Sequence, residues 1–171
     1  MKILKIVNEP EIKELDGMTV ACVSFVGNYL GNVKVFGDLF SKLCGWAGSK
    51  QLMGPNTILM SVYYDDPGIT PVEELKLDVC MTIDDEINVD GQIKKKELPG
   101  GKYVVMRTEL KGPEEYSHAW EKVVEWLTRN NLEIDMTRAS YEIYLNSPDE
   151  HPEKHYIVDI CMPVKLNMIY F

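Results

Sequence analysis

Glu142 lies in a short alternating segment, Ser140-Tyr141-Glu142-Ile143-Tyr144-Leu145, and an acid among aromatic rings can do two kinds of chemistry. Toward an organic cation the carboxylate supplies counter-charge, and each ring face adds about 0.5–2 kcal/mol of cation–π attraction. In an apolar pocket the same acid, with its pKa raised, could serve as a general acid or base toward water. Strand alternation puts Glu142 and Tyr144 on one face and Tyr141, Ile143 and Leu145 on the other. Spacing alone leaves two readings of Glu142 open, a pocket carboxylate or an acid on the wet face of a sheet.

Other residue types offer less. His151 and His155 have the separation of a helical metal pair, but Pro152 falls between them in a polar stretch, so the rings have no reason to converge. Asp65-Asp66-Pro67 reads as a turn opening with too few oxygen ligands for a divalent ion. Cys22, Cys44, Cys80 and Cys161 form no C-x-x-C and each sits in an apolar stretch, which suits buried thiols better than a disulfide or zinc framework. There is no G-x-S-x-G, P-loop or G-x-G-x-x-G. No metal site and no cofactor are expected, and Glu142 is the one candidate catalytic residue should the chain be an enzyme.

The elements that position these residues are written twice. Asp78-Val79-Cys80-Met81-Thr82-Ile83 returns as Asp159-Ile160-Cys161-Met162-Pro163-Val164. Phe36, Phe40, Leu43 and Ala47 return 80 positions later as Tyr116, Trp120, Val123 and Leu127, the spacing of one face of an amphipathic helix. Trp46 and Trp126, just off that stripe, match as well. Ile58 to Tyr63 aligns with Ala139 to Tyr144, which sets Ser61 against Glu142 and leaves the acid in one copy only.

Opening strands are expected at Thr19 to Val26 and Lys102 to Glu109, with a further N-terminal strand within Lys2 to Leu15. Asn32 is a candidate N-cap, Gly112-Pro113 opens the second helix, and Gly48 and Asn130-Asn131 supply left-handed helix ends. Lys94-Lys95-Lys96 reads as a solvated loop. The predicted fold is α+β: one domain over residues 1–171, built of tandem duplicated βαββ units at about 1–88 and 97–171. A curved, mainly antiparallel sheet carries both helices on one face, and a small-molecule site between the copies is expected.

Composition narrows the partners. A formal net charge of −9 argues against non-specific nucleic-acid binding, which needs clustered Lys and Arg. No stretch approaches the roughly 20 apolar residues of a membrane span, and no signal-peptide core opens the chain, so a cytoplasmic protein is expected.

Several segments together resemble the GyrI-like, or AraC-type effector-binding, small-molecule-binding domain. They are Tyr63-Tyr64-Asp65-Asp66-Pro67, Pro71 to Leu75, Leu98-Pro99-Gly100-Gly101-Lys102-Tyr103, Lys111-Gly112-Pro113, Trp120 to Leu127, and Tyr141 to Pro148. The resemblance runs over nearly the whole chain from Lys13 onward. It implies a duplicated βαββ scaffold whose cleft takes up hydrophobic, often cationic, molecules, with an acid in the strand that here carries Glu142.

On that basis the ligand-binding set is Glu142, Tyr144, Trp120, Tyr63, Ser61 and Tyr116. The family's aromatic directly after Gly-Pro is Glu114 here, and Tyr116 two residues on is counted with the site. The resemblance implies a stand-alone binder of an effector, drug or toxin. Its alternatives are a hydrolase of strained or electrophilic small molecules using Glu142 as base, and a gyrase-type inhibitor with a protein partner; a homodimer is also open.

Overall fold

The computed structural model describes residues 3–165; Lys2 and the outer ends of the two expected halves lie outside the described residues. Eight strands and two helices follow in the order β1 (Lys5–Leu15), β2 (Met18–Val26), α1 (Val33–Ser49), β3 (Leu59–Tyr63), β4 (Lys76–Thr82), β5 (Lys94–Leu98), β6 (Gly101–Leu110), α2 (Tyr116–Arg129), β7 (Ser140–Tyr144) and β8 (Tyr156–Pro163). Every pairing described below is antiparallel, so the chain is α+β.

The elements group into two compact units. One comprises Gly17–Pro99, and the other joins residues up to Asp16 with those from Gly100 onward. In the first, the strands run β3-β4-β2-β5; in the second, β1-β6-β8-β7. Residues 5–15, counted with the first half by position in the sequence, pair with β6 in the second half. In the same way β5 precedes β6 in the chain yet pairs with β2.

Each helix covers one face of its own sheet. Alternation along β2 and β4 turns Ala21, Val23, Leu77, Val79 and Met81 toward Leu39, Leu43 and Ala47 of α1. In the other unit Val104, Met106, Val158, Ile160 and Met162 meet Ala119, Val123 and Leu127 of α2. The fully buried stripe is therefore 39, 43, 47 and 119, 123, 127. The aromatic residues Phe36, Phe40, Tyr116 and Trp120 pack beside it, partly exposed, and Trp46 and Trp126 also border the cores.

The helix ends are set by local chemistry. Asn32 caps α1 by accepting from the Val35 backbone N–H at 3.2 Å. Gly48 lies inside α1, and the left-handed exit is taken by Gln51 (φ 55) and, after α2, by Asn131 (φ 54). The N–H of Leu52 then returns to Ala47 O and that of Leu132 to Leu127 O, each at 3.0 Å. Pro113 stands in a short 3-10 turn that leads into α2.

Lys94-Lys95-Lys96 is not a loop. It opens β5, where Lys96 alternates inward to bind the buried Asp78 at 2.6 Å while Lys95 donates to Ile87 O at 2.9 Å. Charged residues suit a strand that ends its unit's sheet, and that is why the run carries no apolar strand signal.

The connection between α2 and β7 is held by Asp135, whose carboxylate accepts the Thr137 hydroxyl at 2.6 Å, the Thr137 N–H at 3.0 Å and Arg138 Nε at 3.0 Å. Thr137, then Arg138, hold its carboxyl down to about 2, against an ordinary 3.8. The sign follows: the stabilisation is complete above pH 3.8 and is lost as the pH falls toward 2. An NMR titration of the Asp135 carboxyl should give a midpoint near 2, moved toward the ordinary value in Thr137→Val. A midpoint already near 3.8 in the native chain would remove this account of the loop.

Candidate functional site

β7 pairs with β8 so that Glu142 stands opposite Ile160, a residue of the core beneath α2. Glu142 thus points to the helix side of the sheet together with Tyr144, while Tyr141 and Ile143 point away. It is only 4% exposed, so it is not the acid of a wet sheet face. Trp120 Nε1–H donates to its Oε2 at 2.7 Å, and the Tyr144 hydroxyl donates to its Oε1 at 2.8 Å. Both donors are neutral. They satisfy part of the hydrogen-bonding capacity of the carboxylate.

Tyr116, one turn before Trp120, completes this side. Burial pushes its hydroxyl pKa well up, and the nearby Glu142 charge pushes it further. Its ring meets that of Tyr156 edge-on at 6.4 Å. Tyr156 is not among the residues singled out from the sequence; alternation along β8, which puts it on the face of Val158 and Ile160, is the signal that finds it. Beyond Trp120 the helix surface forms a shallow, open hollow lined by Trp120, Glu121, Val124 and Glu125.

Of the six expected ligand-binding residues, Glu142, Tyr144, Trp120 and Tyr116 thus belong to one unit. Ser61 and Tyr63 belong to the other, on β3, opposite Val79 and Leu77 and facing α1. Ser61 is fully buried. Tyr63 joins a ring cluster with Tyr29 at 5.3 Å and Phe36 at 6.5 Å.

The two histidines do converge, contrary to expectation. A 3-10 turn at Pro148–Glu150 and the left-handed Lys154 (φ 60) fold the loop back, stacking the His151 and His155 rings at 4.9 Å beside Glu109. His155 Nδ1 lies 2.7 Å from Glu109 Oε2, and Lys5 Nζ lies 3.1 Å from Oε1. The His155 hydrogen bond, with Lys5, holds the Glu109 carboxyl below its ordinary range.

His151 Nδ1 accepts from the Glu153 N–H at 3.0 Å, so its neutral ring carries the proton on Nε2, which faces Glu109 at 3.8 Å. His155 Nδ1, against a carboxylate that can only accept, is placed to donate. Glu109 is thus hydrogen-bonded by His155 and faced at longer range by His151; a cation would need lone pairs in those places.

Comparison with known proteins agrees with this architecture. The model of the GyrI-like small molecule binding domain matches residues 8–165, and the chain belongs to that family. Among curated relatives, the SPbeta prophage protein YosT of Bacillus subtilis (strain 168), named as a candidate transcriptional regulator, is 32% identical over 123 residues, covering 71% of this chain and 78% of its own. A DNA gyrase inhibitor of Escherichia coli (strain K12) is 29% identical over 144 residues, covering 82% and 87%.

Two solved structures share the fold at lower identity. The C-terminal domain of EcmrR superposes with a TM-score of 0.71 at 14% identity, covering 93% of this chain and 98% of its own. SAV2435, solved bound to tetraphenylphosphonium, gives 0.64 at 15% identity, covering 92% and 94%.

The hydrogen bonds to Glu142 yield a stability prediction. Trp120→Phe keeps a ring but removes one donor from a buried carboxylate, and should cost about 1–3 kcal/mol in urea unfolding. The loss should shrink in a Glu142→Gln background, where the acceptor is neutral. A cost below about 0.5 kcal/mol, or an equal cost in both backgrounds, would show that the Trp120 bond does not stabilise the charge.

Proposed function

We propose that the chain binds hydrophobic cations, with Glu142 as counter-charge and Trp120, Tyr144 and Tyr116 as aromatic surfaces around it. The observation that carries this reading is the carboxylate itself, buried to 4% exposure and held on its two oxygens by the neutral donors Trp120 and Tyr144. A charge in that setting is poorly solvated, and a cation that brings apolar groups can approach it without giving up much water of its own.

Ring faces add cation–π attraction, and Glu121 and Glu125 beside Trp120 add negative potential at the adjoining hollow. The cation bound by the similarly folded SAV2435 is of this kind, lipophilic and carrying one delocalised charge.

The same reading treats the two units as copies of one βαββ unit. It is supported by the matching buried positions of α1 and α2 and by the equal left-handed exits at Gln51 and Asn131. Under it, Ser61 holds in one copy the place that Glu142 holds in the other, so only one of them presents an acid.

Tetraphenylphosphonium is a suitable probe, with triphenylphosphine oxide as the uncharged counterpart. By calorimetry, Glu142→Gln should weaken the phosphonium tenfold or more, about 1.4 kcal/mol, and leave the oxide nearly unchanged. Equal losses for both compounds would sink the counter-charge role.

A further inference from the structure

Cys22 and Cys80 face each other across β2 and β4. The hydrogen bonds that flank them define the kind of pair they make. Ile83 N–H donates to Thr19 O at 3.0 Å and Gly27 N–H to Leu75 O at 2.9 Å, both in the same register as Cys22 opposite Cys80. In an antiparallel ladder, hydrogen-bonded and non-hydrogen-bonded pairs alternate. Counting inward from either end, the cysteines form a non-hydrogen-bonded pair, the type in which side chains come closest. Their Cα atoms then lie about 4.5 Å apart, inside the span of roughly 4.4–6.8 Å that a disulfide bridges.

The surroundings differentiate the two sulfurs. Both residues are fully buried, and their sulfur atoms and the Asp78 carboxylate all lie within 4.8 Å of one another. The facing Cys80 thiol holds the Cys22 pKa below that of an ordinary thiol against burial and the Asp78 charge, with Lys96 and Lys94 assisting. Burial and the Cys22 sulfur push Cys80 well up. Cys22 is thus the sulfur prepared to act as nucleophile and Cys80 the one that keeps its proton.

We propose that Cys22 and Cys80 are an oxidation-responsive thiol pair that closes reversibly into a cross-strand disulfide in the presence of a peroxide. The Cys22 thiolate attacks one oxygen of hydrogen peroxide, the O–O bond breaks, and the departing hydroxide takes a proton to become water. Cys80, deprotonated in turn, attacks the sulfur of the Cys22 sulfenic acid. The S–O bond breaks, hydroxide leaves, and its protonation gives a second water. Two thiols and one peroxide become one disulfide and two waters, with two electrons passing from sulfur to oxygen.

Cys22 lies against the short strand β5, its thiol donating to Lys94 O at 3.6 Å, and the proposal requires that β5 separate from β2 for peroxide to enter. A metal at this cluster is the weaker alternative. Asp78 already accepts Ser24 at 2.5 Å, Tyr64 at 2.5 Å and Lys96 at 2.6 Å, so its oxygens are engaged and a cation is in place.

The chain contains its own control. Cys161 holds the corresponding place on β8, but its cross-strand neighbour is Val105, which has no thiol. Cys44, half-buried on α1, is raised by burial.

The test treats the reduced full chain with hydrogen peroxide, stops the reaction with catalase, alkylates under denaturing conditions and maps the peptides by mass. The expected result is a single intramolecular link between Cys22 and Cys80, a mass lower by two hydrogen atoms, Cys44 and Cys161 alkylated, and full reversal by dithiothreitol. In Cys80→Ala, a dimedone adduct should appear on Cys22 in place of the link. The proposal is overturned if all four thiols alkylate after peroxide, if the link involves Cys44 or Cys161, if Cys22 proceeds to sulfinic acid with Cys80 present, or if the reduced protein holds stoichiometric zinc on these thiols. The wild-type map decides the matter even if the variant does not fold.

Discussion

A carboxylate taken out of water must find donors within reach, and for Glu142 one of the two lies on a different element. Trp120 reaches it from α2 and Tyr144 from its own strand. That requirement fixes the rotational setting of the helix. Ala119, Val123 and Leu127 turn into the core, and Tyr116 and Trp120, beside that stripe, are brought to the Glu142 side of the sheet. A modest rotation of α2 about its axis would keep much of the apolar contact but carry the indole N–H away from the acid. Core packing and the hydrogen bond therefore specify the same arrangement from two directions, a consistency that gives one structure an energy gap over its near neighbours.

The two units meet a similar demand differently. In each, an aspartate on an inner strand of the unit's own sheet is buried and must be paired, since removing water from an uncompensated charge is expensive. Asp159 is met by a bidentate Arg107 at 2.9 and 3.0 Å from the facing strand. Asp78 is met by Lys96 from β5, with Ser24 and Tyr64 supplying further donors. On the helix side the contrast is sharper. Ser61 and Glu142, aligned in sequence, are both buried, and Phe40 aligns with Trp120. The indole of Trp120 therefore serves a carboxylate on the neighbouring strand, whereas that of Trp46 donates to Asp90 in a loop, at 3.1 Å.

Much of this was legible in the sequence because it follows from periodicity. A short apolar segment written twice marked β4 and β8, its surroundings marked β2, β3 and β6, the helix stripes marked α1 and α2, and alternation in β7 placed Glu142 with Tyr144. What periodicity does not encode is partner choice. Lys94-Lys95-Lys96 looks like a loop by composition and becomes a strand because β2 offers it a ladder. His151 and His155 converge through a loop whose path depends on a left-handed Lys154, for which lysine carries no signal. The Cys22–Cys80 pair depends on register, which no cysteine spacing reveals; Cys161, in a similar segment, faces Val105 instead. Glu142, Trp120 and Tyr144 were named as a group, whereas the two hydrogen bonds that join them come only from the geometry.

Alternation also keeps two chemistries apart. Along β7, β8, β3 and β4 the helix-side positions carry Glu142, Tyr144, Ser61 and Tyr63, and the opposite positions carry Asp159, Cys161, Asp78 and Cys80. A slip of one residue in any of these ladders would exchange the sets, putting a carboxylate or thiol under a helix and an apolar residue among the ion pairs. The pairing of the buried Asp159 with Arg107 and of the buried Asp78 with Lys96 penalises such a slip, because each would leave a carboxylate in an apolar layer. The polar residues on the far face thus help to fix the register that holds Glu142 against α2.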